Sequence, residues 1–290
     1  MLIKEYKQYF IKELLAIYDE VEAESFFYLT LEKFHRLRRI DLALQPNLQI
    51  GENEVEKWKS VLTDLKKQKP IQYILGETQF YGLPFLVNKD VLIPRPETEE
   101  LVELILAESR KSKVESLRIL DIGTGSGCIP ISLKKNLPDA EVFAVDVSEN
   151  ALEVAKENAK LNGVEVNFIK INILETEDLD QQFDIIVSNP PYVRMLEKEE
   201  IKPNVLEFEP HLALFVEDND PLLFYRKIAQ LAKKNLNENG KLYFEINQYL
   251  GKETVGLLES LGFTNIKLLK DIYGNDRMVK CTKSEVQITK

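Results

Sequence analysis

A strand, a glycine-rich loop and a helix follow one another directly near the middle of this 290-residue chain. The apolar run Arg118–Ile122 is predicted to be the strand, residues 123–127 form the loop, and the helix continues through Ile129, Ile131 and Leu133. This order places backbone N–H groups and a helix N-terminus against a bound ligand, and glycines let that ligand approach closely. The segment therefore predicts a ligand-binding loop.

Strands and helices continue to alternate along the rest of the chain. Further strands are predicted at 142–146, 166–170, 183–188, 241–246, 266–269 and 278–281, and helices at 149–161, 221–236 and 249–261. Alternating β and α units specify a mostly parallel sheet with helices on both faces, and ligands bind beyond the carboxyl ends of its strands. The predicted fold class is α/β with a seven-stranded sheet.

The beginning of the chain has a different pattern. Apolar residues at helical spacing predict helices at 3–18, 21–37, 38–44 and 52–68. Trp58 and Phe34 are expected to lie in the core of this bundle, since apolar residues at helical spacing usually face other helices.

Two short β-prone runs, 78–81 and 85–87, follow and predict a hairpin. The sequence therefore predicts a helical domain over 1–70, a β-hairpin linker over 71–90 and an α/β domain over 91–290.

Charge and composition narrow the class of protein. The net charge is -10, and the first 70 residues carry twelve basic and twelve acidic side chains, so no broad basic surface is offered to nucleic acid or to a membrane. Cys128 and Cys281 do not make a disulfide framework, and His35 and His211 lie outside any metal-ligand pattern. We expect a cytoplasmic monomer without a metal site or a membrane span.

The loop residues favour one ligand over another. The dinucleotide fingerprint requires a third glycine where this chain has Cys128, so a NAD-dependent activity is the weaker alternative. Asp121 precedes the loop and can face a cationic group, and Asp146 ends the next strand, where a carboxylate can accept both ribose hydroxyls. A sulfonium nucleoside, S-adenosylmethionine, fits a loop flanked by acids better than a diphosphate.

The strand at 183–188 ends at Asn189-Pro190-Pro191-Tyr192. Proline cannot continue a sheet ladder, and an asparagine oxygen beside a fixed proline carbonyl gives two acceptors facing one way. That pair suits a planar –NH2 group, and Tyr192 can stack on its face. A plain turn after a core strand is the alternative.

Arg95 stands between Pro94 and Pro96, at the start of a predicted helix with Glu97 and Glu99 in its first turn. Acids at that position suit the helix dipole and need no function. Arg95 is either a surface salt-bridge residue or part of a site.

With these residues placed, the sequence resembles the HemK family, the N5-glutamine methyltransferases of peptide chain release factors. The likeness covers nearly the whole chain. It is carried by Pro70–Gly76, Ile93–Glu99, Asp121–Gly127, Asn189–Tyr192 and Phe208–Pro210. The Asn-Pro-Pro-Tyr motif is shared by many enzymes that methylate amino nitrogens, whereas the Arg-Pro-Glu-Thr-Glu segment is far more selective.

The resemblance implies a Rossmann-like class I S-adenosylmethionine-dependent methyltransferase domain, preceded by a helical domain that recognises the release factor. The implied cofactor-binding residues are Asp121, Gly123, Thr124, Gly125, Ser126, Gly127, Asp146, Asn172 and Asn189. Asn189, Pro190 and Tyr192 would be catalytic, and with Pro191 and Arg95 they would hold the glutamine of the Gly-Gly-Gln motif of class 1 release factors. Asn172-Ile173 departs from the family pattern beside the adenine, because ring stacking is lost there.

Two further interpretations stay open at this stage. Methylation of an exocyclic amino group of adenine or guanine in RNA or DNA would use the same Asn189–Tyr192 segment, although such enzymes normally add a basic surface that binds phosphates. A binding protein that has lost the chemistry is the other interpretation. The sequence assigns no role to Glu245 or Arg277.

Overall fold

The computed structural model describes residues 1–111 and 116–284. By compactness the chain divides into two units. The first comprises Met1–Gly76 and Lys202–Phe208, and the second comprises Glu77–Ile201 and Glu209–Lys290. The hairpin falls within the second unit, and the three domains expected from the sequence stay a prediction.

The N-terminal part of the first unit is all-helical. Its helices are α1 (Ile3–Leu14), α2 (Glu20–His35), α3 (Arg39–Leu44), α4 (Glu52–Lys66) and α5 (Ile71–Leu75). The predicted helix over 3–18 ends earlier, at Leu14, because Asp19 caps the next helix by accepting a hydrogen bond from the Glu22 amide at 2.8 Å. The short helix α5 was not predicted.

Trp58 lies at the centre of this helical core and is fully buried, as predicted. The rings of Tyr6, Phe10 and Phe27 surround it at centroid distances of 5.4, 5.7 and 5.0 Å. Its indole Nε1 donates to Nε2 of His35 at 3.0 Å, so the polar atom of this large side chain is satisfied within the core. Aromatic packing of this kind stabilises the helical unit.

The rest of the chain alternates strands and helices. In chain order the elements are β1 (Glu77–Phe80), β2 (Leu83–Leu86), α6 (Pro96–Ser109), β3 (Arg118–Ile122), α7 (Cys128–Asn136), β4 (Glu141–Asp146), α8 (Glu149–Asn162), β5 (Asn167–Lys170), β6 (Phe183–Ser188), β7 (Val193–Arg194), a 3₁₀ helix (Met195–Glu200), α9 (Pro203–Phe208), α10 (His211–Leu214), β8 (Phe215–Val216), α11 (Leu223–Asn235), β9 (Leu236–Glu245), α12 (Gly251–Ser260), β10 (Phe263–Lys270) and β11 (Asp276–Lys283). Helix α9 belongs to the first unit.

Seven strands form one sheet in the order β10-β11-β9-β6-β3-β4-β5. All neighbouring pairs from β9 to β5 are parallel, and β11 runs antiparallel to both of its neighbours. The mostly parallel seven-stranded α/β fold predicted from the sequence is confirmed. Chain order reverses between β3 and β6, so the sheet has its topological switch point there, where open α/β sheets bind ligands.

Successive residues of the central strands enter opposite cores. Ile119 and Ile185 pack with α6 and α7 on one face, whereas Leu120 and Ile186 pack with α11 on the other. Because both faces are covered, the strands read as continuous apolar runs. The segment from Val193 to Val216, with its short strands and helices, was not predicted.

Candidate active site

A cavity of about 420 Å³ opens beyond the carboxyl ends of the central strands. Ten of the residues predicted for the cofactor and the substrate line it, namely Arg95, Gly123, Thr124, Gly125, Ser126, Asp146, Asn172, Asn189, Pro190 and Pro191. Three other predicted residues, Asp121, Gly127 and Tyr192, do not line the cavity, although each is next in the chain to a residue that does. The structure thus brings together segments that are far apart in sequence.

The glycine loop joins β3 to α7 with three left-handed residues, Gly123, Gly125 and Gly127, at φ angles of 77°, 53° and 81°. A Cβ atom at Gly123 or Gly125 would meet no protein atom within 4 Å. A Cβ atom at Gly127 would instead come within 2.9 Å of the Ile131 side chain and 3.1 Å of Ala155. The first two glycines keep the cavity open, and the third lets α7 and α8 pack closely.

Asp121 is fully buried beneath this loop. Neither of its carboxylate oxygens accepts a hydrogen bond from the described residues. Burial raises the pKa of Asp121 to about 7; the nearby Thr124 hydroxyl partly offsets the rise, and the Asp146 carboxylate adds to it. A buried carboxylate without a partner is costly, so this side chain is suited to a cationic group supplied by a ligand.

Asp146 ends β4 and is held rigidly at the cavity wall. Its Oδ2 accepts from the Gly125 amide and its Oδ1 from the Ser148 amide, both at 2.9 Å. Burial raises the pKa of this carboxyl, and the backbone donors partly offset the rise. The two backbone bonds fix the carboxylate in a position where its remaining lone pairs can accept ligand hydroxyls.

Asn172 lies on the wall formed by the chain after β5. Its Oδ1 accepts from the Leu174 amide at 3.2 Å, and its carbonyl accepts from the Thr176 hydroxyl at 2.9 Å. Ile171, Ile173 and Leu174 line the cavity beside it. This wall is apolar except for one amide, which suits the edge and face of a purine.

The Asn189–Tyr192 corner begins where β6 ends. The Ser188 hydroxyl donates to the Ile122 carbonyl at 2.7 Å and so ties the end of β6 to the end of β3. The Asn189 amide Nδ2 donates to the Thr98 hydroxyl at 3.3 Å. The Tyr192 hydroxyl donates to Glu245 Oε1 at 3.1 Å, and burial raises its pKa further above the ordinary tyrosine range.

Arg95 is paired rather than free. Its guanidinium donates to Glu209 Oε1 at 2.6 Å, and Glu209 Oε2 accepts from the Ile93 amide at 3.2 Å. Glu209 is only 4% exposed, so the pair anchors the chain before α6 to the chain after α9. Arg95 therefore braces one wall of the cavity while also lining it.

Sequence reasoning missed three residues that hold the corner and this wall: Thr98, Glu209 and Glu245. Thr98 and Glu209 occur in segments quoted for the resemblance, but no local pattern links either to its partner. Glu245 ends a central strand, and a carboxylate at that position is the one signal that could have drawn attention to it.

Comparison with known proteins gives close relatives over the whole chain. A release factor glutamine methyltransferase of Flavobacterium psychrophilum is 66% identical over 281 residues, which cover 97% of this chain and 99% of that protein. The protein of the same name from Bacteroides thetaiotaomicron is 42% identical, over 95% of this chain and 98% of its own length. This chain belongs to the release factor glutamine methyltransferase family.

Two family models match separate parts of this release factor glutamine methyltransferase. The PrmC N-terminal domain matches residues 6–76, and the Methyltransferase small domain matches residues 100–207. The chain is a methyltransferase, so the NAD-dependent alternative was wrong. The structure of a methyltransferase from Pyrococcus furiosus covers 81% of this chain and 100% of its own, with a TM-score of 0.52 at 18% identity, and this likeness shows the shared fold.

Within residues 1–111 and 116–284, no helix combines the length and the apolar character that crossing a membrane requires.

Proposed function

We propose that this chain transfers a methyl group from S-adenosylmethionine to the side-chain amide nitrogen of the glutamine in the Gly-Gly-Gln motif of class 1 peptide chain release factors, acting as a cytoplasmic monomer. The observation that carries the proposal is the intact Asn189–Tyr192 corner at the cavity of a chain so similar to release factor glutamine methyltransferases. The helical N-terminal domain would recognise the body of the release factor.

The residues around the cavity fit S-adenosylmethionine. Asp121, whose carboxylate lacks a partner, would hold the ammonium of the methionine part, and Asp146 would accept the ribose hydroxyls. Gly123 and Gly125 leave the space that the cofactor backbone needs. The wall of Ile171, Asn172 and Ile173 would receive the adenine. When bound, the cofactor supplies an electrophilic methyl group on a positively charged sulfur.

The corner prepares the nucleophile. A glutamine amide nitrogen is a poor nucleophile because its lone pair is delocalised into the carbonyl. The Asn189 Oδ1 and the Pro190 carbonyl would accept its two N–H bonds, which raises electron density on nitrogen and aims it at the methyl group. Tyr192 would contact the amide face. Orientation of this kind lowers a barrier by up to about 7–11 kcal/mol.

No side-chain base is required in this mechanism. As the amide nitrogen forms its bond to the methyl carbon, the sulfur–carbon bond would break and its electron pair would go to sulfur, so that S-adenosylhomocysteine leaves. The nitrogen then carries a positive charge and becomes strongly acidic. One of its two protons then leaves to water, and the product is the neutral N-methyl amide. The corner accordingly needs acceptors that orient the amide, and its carbonyl and amide oxygens are acceptors of this kind.

Mass spectrometry of a purified release factor tests the proposal. After incubation with this protein and labelled cofactor, we expect one added methyl group on the glutamine of the Gly-Gly-Gln motif, and none when that glutamine is replaced by alanine. Parallel reactions with tRNA, rRNA and DNA test the nucleobase alternative. Transfer to nucleic acid alone would rule the proposal out, and cofactor binding without turnover on any of these substrates would favour the binding-only interpretation.

The buried Asp121 carboxyl predicts that cofactor affinity depends on pH. The pKa of about 7 lies above the ordinary aspartate range, so below pH 7 the cofactor-free protein keeps the Asp121 proton. An ammonium group favours the ionised form, so the affinity for S-adenosylhomocysteine should rise as the pH increases through 7 and then level off. The same shift lowers the free energy of unfolding of the cofactor-free protein as the pH rises from about 4 to about 7, because the unfolded chain loses the Asp121 proton over that range while the folded protein keeps it; the loss levels off above pH 7.

Isothermal titration calorimetry in two buffers of different ionisation enthalpy measures this coupling. We expect proton release on binding below pH 7, and its loss in Asp121→Asn together with weaker binding. If wild-type protein releases no proton on binding and Asp121→Asn binds equally well, Asp121 has no such role.

A further inference from the structure

Glu245 joins both ends of the corner through one buried carboxylate. It is 1% exposed at the end of β9, and its Oε2 accepts from the Thr98 hydroxyl at 2.6 Å while its Oε1 accepts from the Tyr192 hydroxyl at 3.1 Å. Thr98 is 3% exposed, and its hydroxyl oxygen accepts a hydrogen bond from Asn189 Nδ2 at 3.3 Å. The bonds that Thr98 makes to Glu245 and to Asn189 form a relay from Glu245 through Thr98 to Asn189, and the Tyr192 bond holds the other oxygen of the same carboxylate.

The relay has a fixed direction. A threonine hydroxyl has one proton, and here that proton is directed to Glu245. Only lone pairs of Thr98 then face Asn189, so the asparagine must present its NH2 group to Thr98. The Asn189 Oδ1 is left on the other side of the amide, and no described residue donates to it. The Glu245 oxygen that accepts the Thr98 proton thus dictates which way the Asn189 amide is turned.

We propose that Glu245 is a positioning residue that holds Asn189 Oδ1 toward the substrate amide by fixing the direction of the Glu245–Thr98–Asn189 relay. This inference rests on the proposed function, because it concerns recognition of the glutamine –NH2 group. If the amide were reversed, the corner would present an N–H donor at that point. It would then lose complementarity to glutamine and gain complementarity to a carboxylate.

The surroundings of Glu245 supply the hydrogen-bond donors that a carboxylate accepts. Burial raises the pKa of Glu245 above the ordinary glutamate range and the Glu97 charge adds to the rise, whereas the hydrogen bonds from Thr98 and Tyr192 and the charge of Arg277 oppose it. The Arg277 side chain on β11 is 15% exposed and donates to Asp271 at 3.1 Å. Two hydroxyl donors and a nearby guanidinium are the partners that a buried carboxylate needs.

Three substitutions test the relay. Glu245→Gln keeps the shape but places an NH2 group in the network, so one hydroxyl must accept instead of donate. Thr98→Val keeps the shape of Thr98 and removes its hydroxyl, whereas Thr98→Ser retains the hydroxyl and is the matched control.

The decisive measurement compares two forms of the release factor, one with the Gly-Gly-Gln glutamine and one with glutamate in its place, bound in the presence of S-adenosylhomocysteine. We expect wild-type protein and Thr98→Ser to prefer glutamine. In Glu245→Gln and Thr98→Val the ratio of the two affinities should fall about tenfold, and kcat about 10- to 100-fold, with the affinity for S-adenosylhomocysteine retained. Damage to the fold alone would weaken binding of both forms equally.

Two results would overturn the relay. One is a glutamine-to-glutamate preference in both Glu245→Gln and Thr98→Val equal to that of wild type. The other is a loss of kcat in Thr98→Ser as large as in Thr98→Val. If the wild-type enzyme is active, either result contradicts the relay proposal alone. Failure of the wild-type protein to methylate the release factor would contradict the proposed function itself.

Discussion

Replacing Asn189 by alanine is expected to lower kcat for release factor methylation roughly 10²- to 10³-fold, the loss that follows removal of one aligned polar group from an active site. The substitution removes the Oδ1 acceptor, so one N–H of the substrate amide enters the corner without a partner and the nitrogen is no longer aimed. The affinity for S-adenosylhomocysteine should change little, because the glycine loop, Asp121 and Asp146 remain. Steady-state assays with labelled cofactor measure the first effect and calorimetry the second.

Asn136→Ala is the control for this substitution. Asn136 is an exposed asparagine at the far end of α7, where its Nδ2 donates to the Ser132 carbonyl at 2.9 Å within the same helix. We expect wild-type kcat for this variant. An Asn189→Ala protein that retains kcat within about twofold of wild type would show that the corner does not orient the amide.

Gly127→Ala is expected to lower the free energy of unfolding by about 2–5 kcal/mol, from the left-handed backbone and the crowding of a packed core together. The new Cβ would clash with the side chains of Ile131 and Ala155. Ala155 is on α8, which packs closely against the start of α7 at this point. In a unit of this size the melting temperature should fall by roughly 5–15 °C, as measured by calorimetry without ligand.

Gly125→Ala separates strain from crowding. Gly125 has the same left-handed conformation, but a Cβ there points into open space at the cavity. We expect a smaller loss of stability, about 1–2 kcal/mol, and a much weaker affinity for S-adenosylhomocysteine. Equal destabilisation by the two substitutions would contradict the assignment of Gly127 to helix packing.

The parts of the site that could be predicted are those whose signal is local. The Arg118–Ile122 strand, its glycine loop and the Asn189–Tyr192 corner each combine an apolar run with residues that only a turn accepts. Because parallel strands end at the same edge of a sheet, each of these segments was correctly placed at one edge.

The parts that could not be predicted depend on contacts between distant segments. Thr98 meets Glu245 across 147 positions, and Arg95 meets Glu209 across 114. Neither Glu245 nor Glu209 belongs to a hydrophobic periodicity or a turn motif that would have pointed to its partner. The grouping of Lys202–Phe208 with the N-terminal helices is equally non-local, since the residues on both sides of it belong to the other unit.

The chain has a single tryptophan, and it lies in the middle of the aromatic core of the helical unit. Its fluorescence emission, excited where tyrosine does not absorb, therefore follows the melting of that unit alone. Circular dichroism follows both units together. Comparing the two signals in one titration with denaturant would tell whether the helical unit and the α/β unit lose their structure in one step or in two.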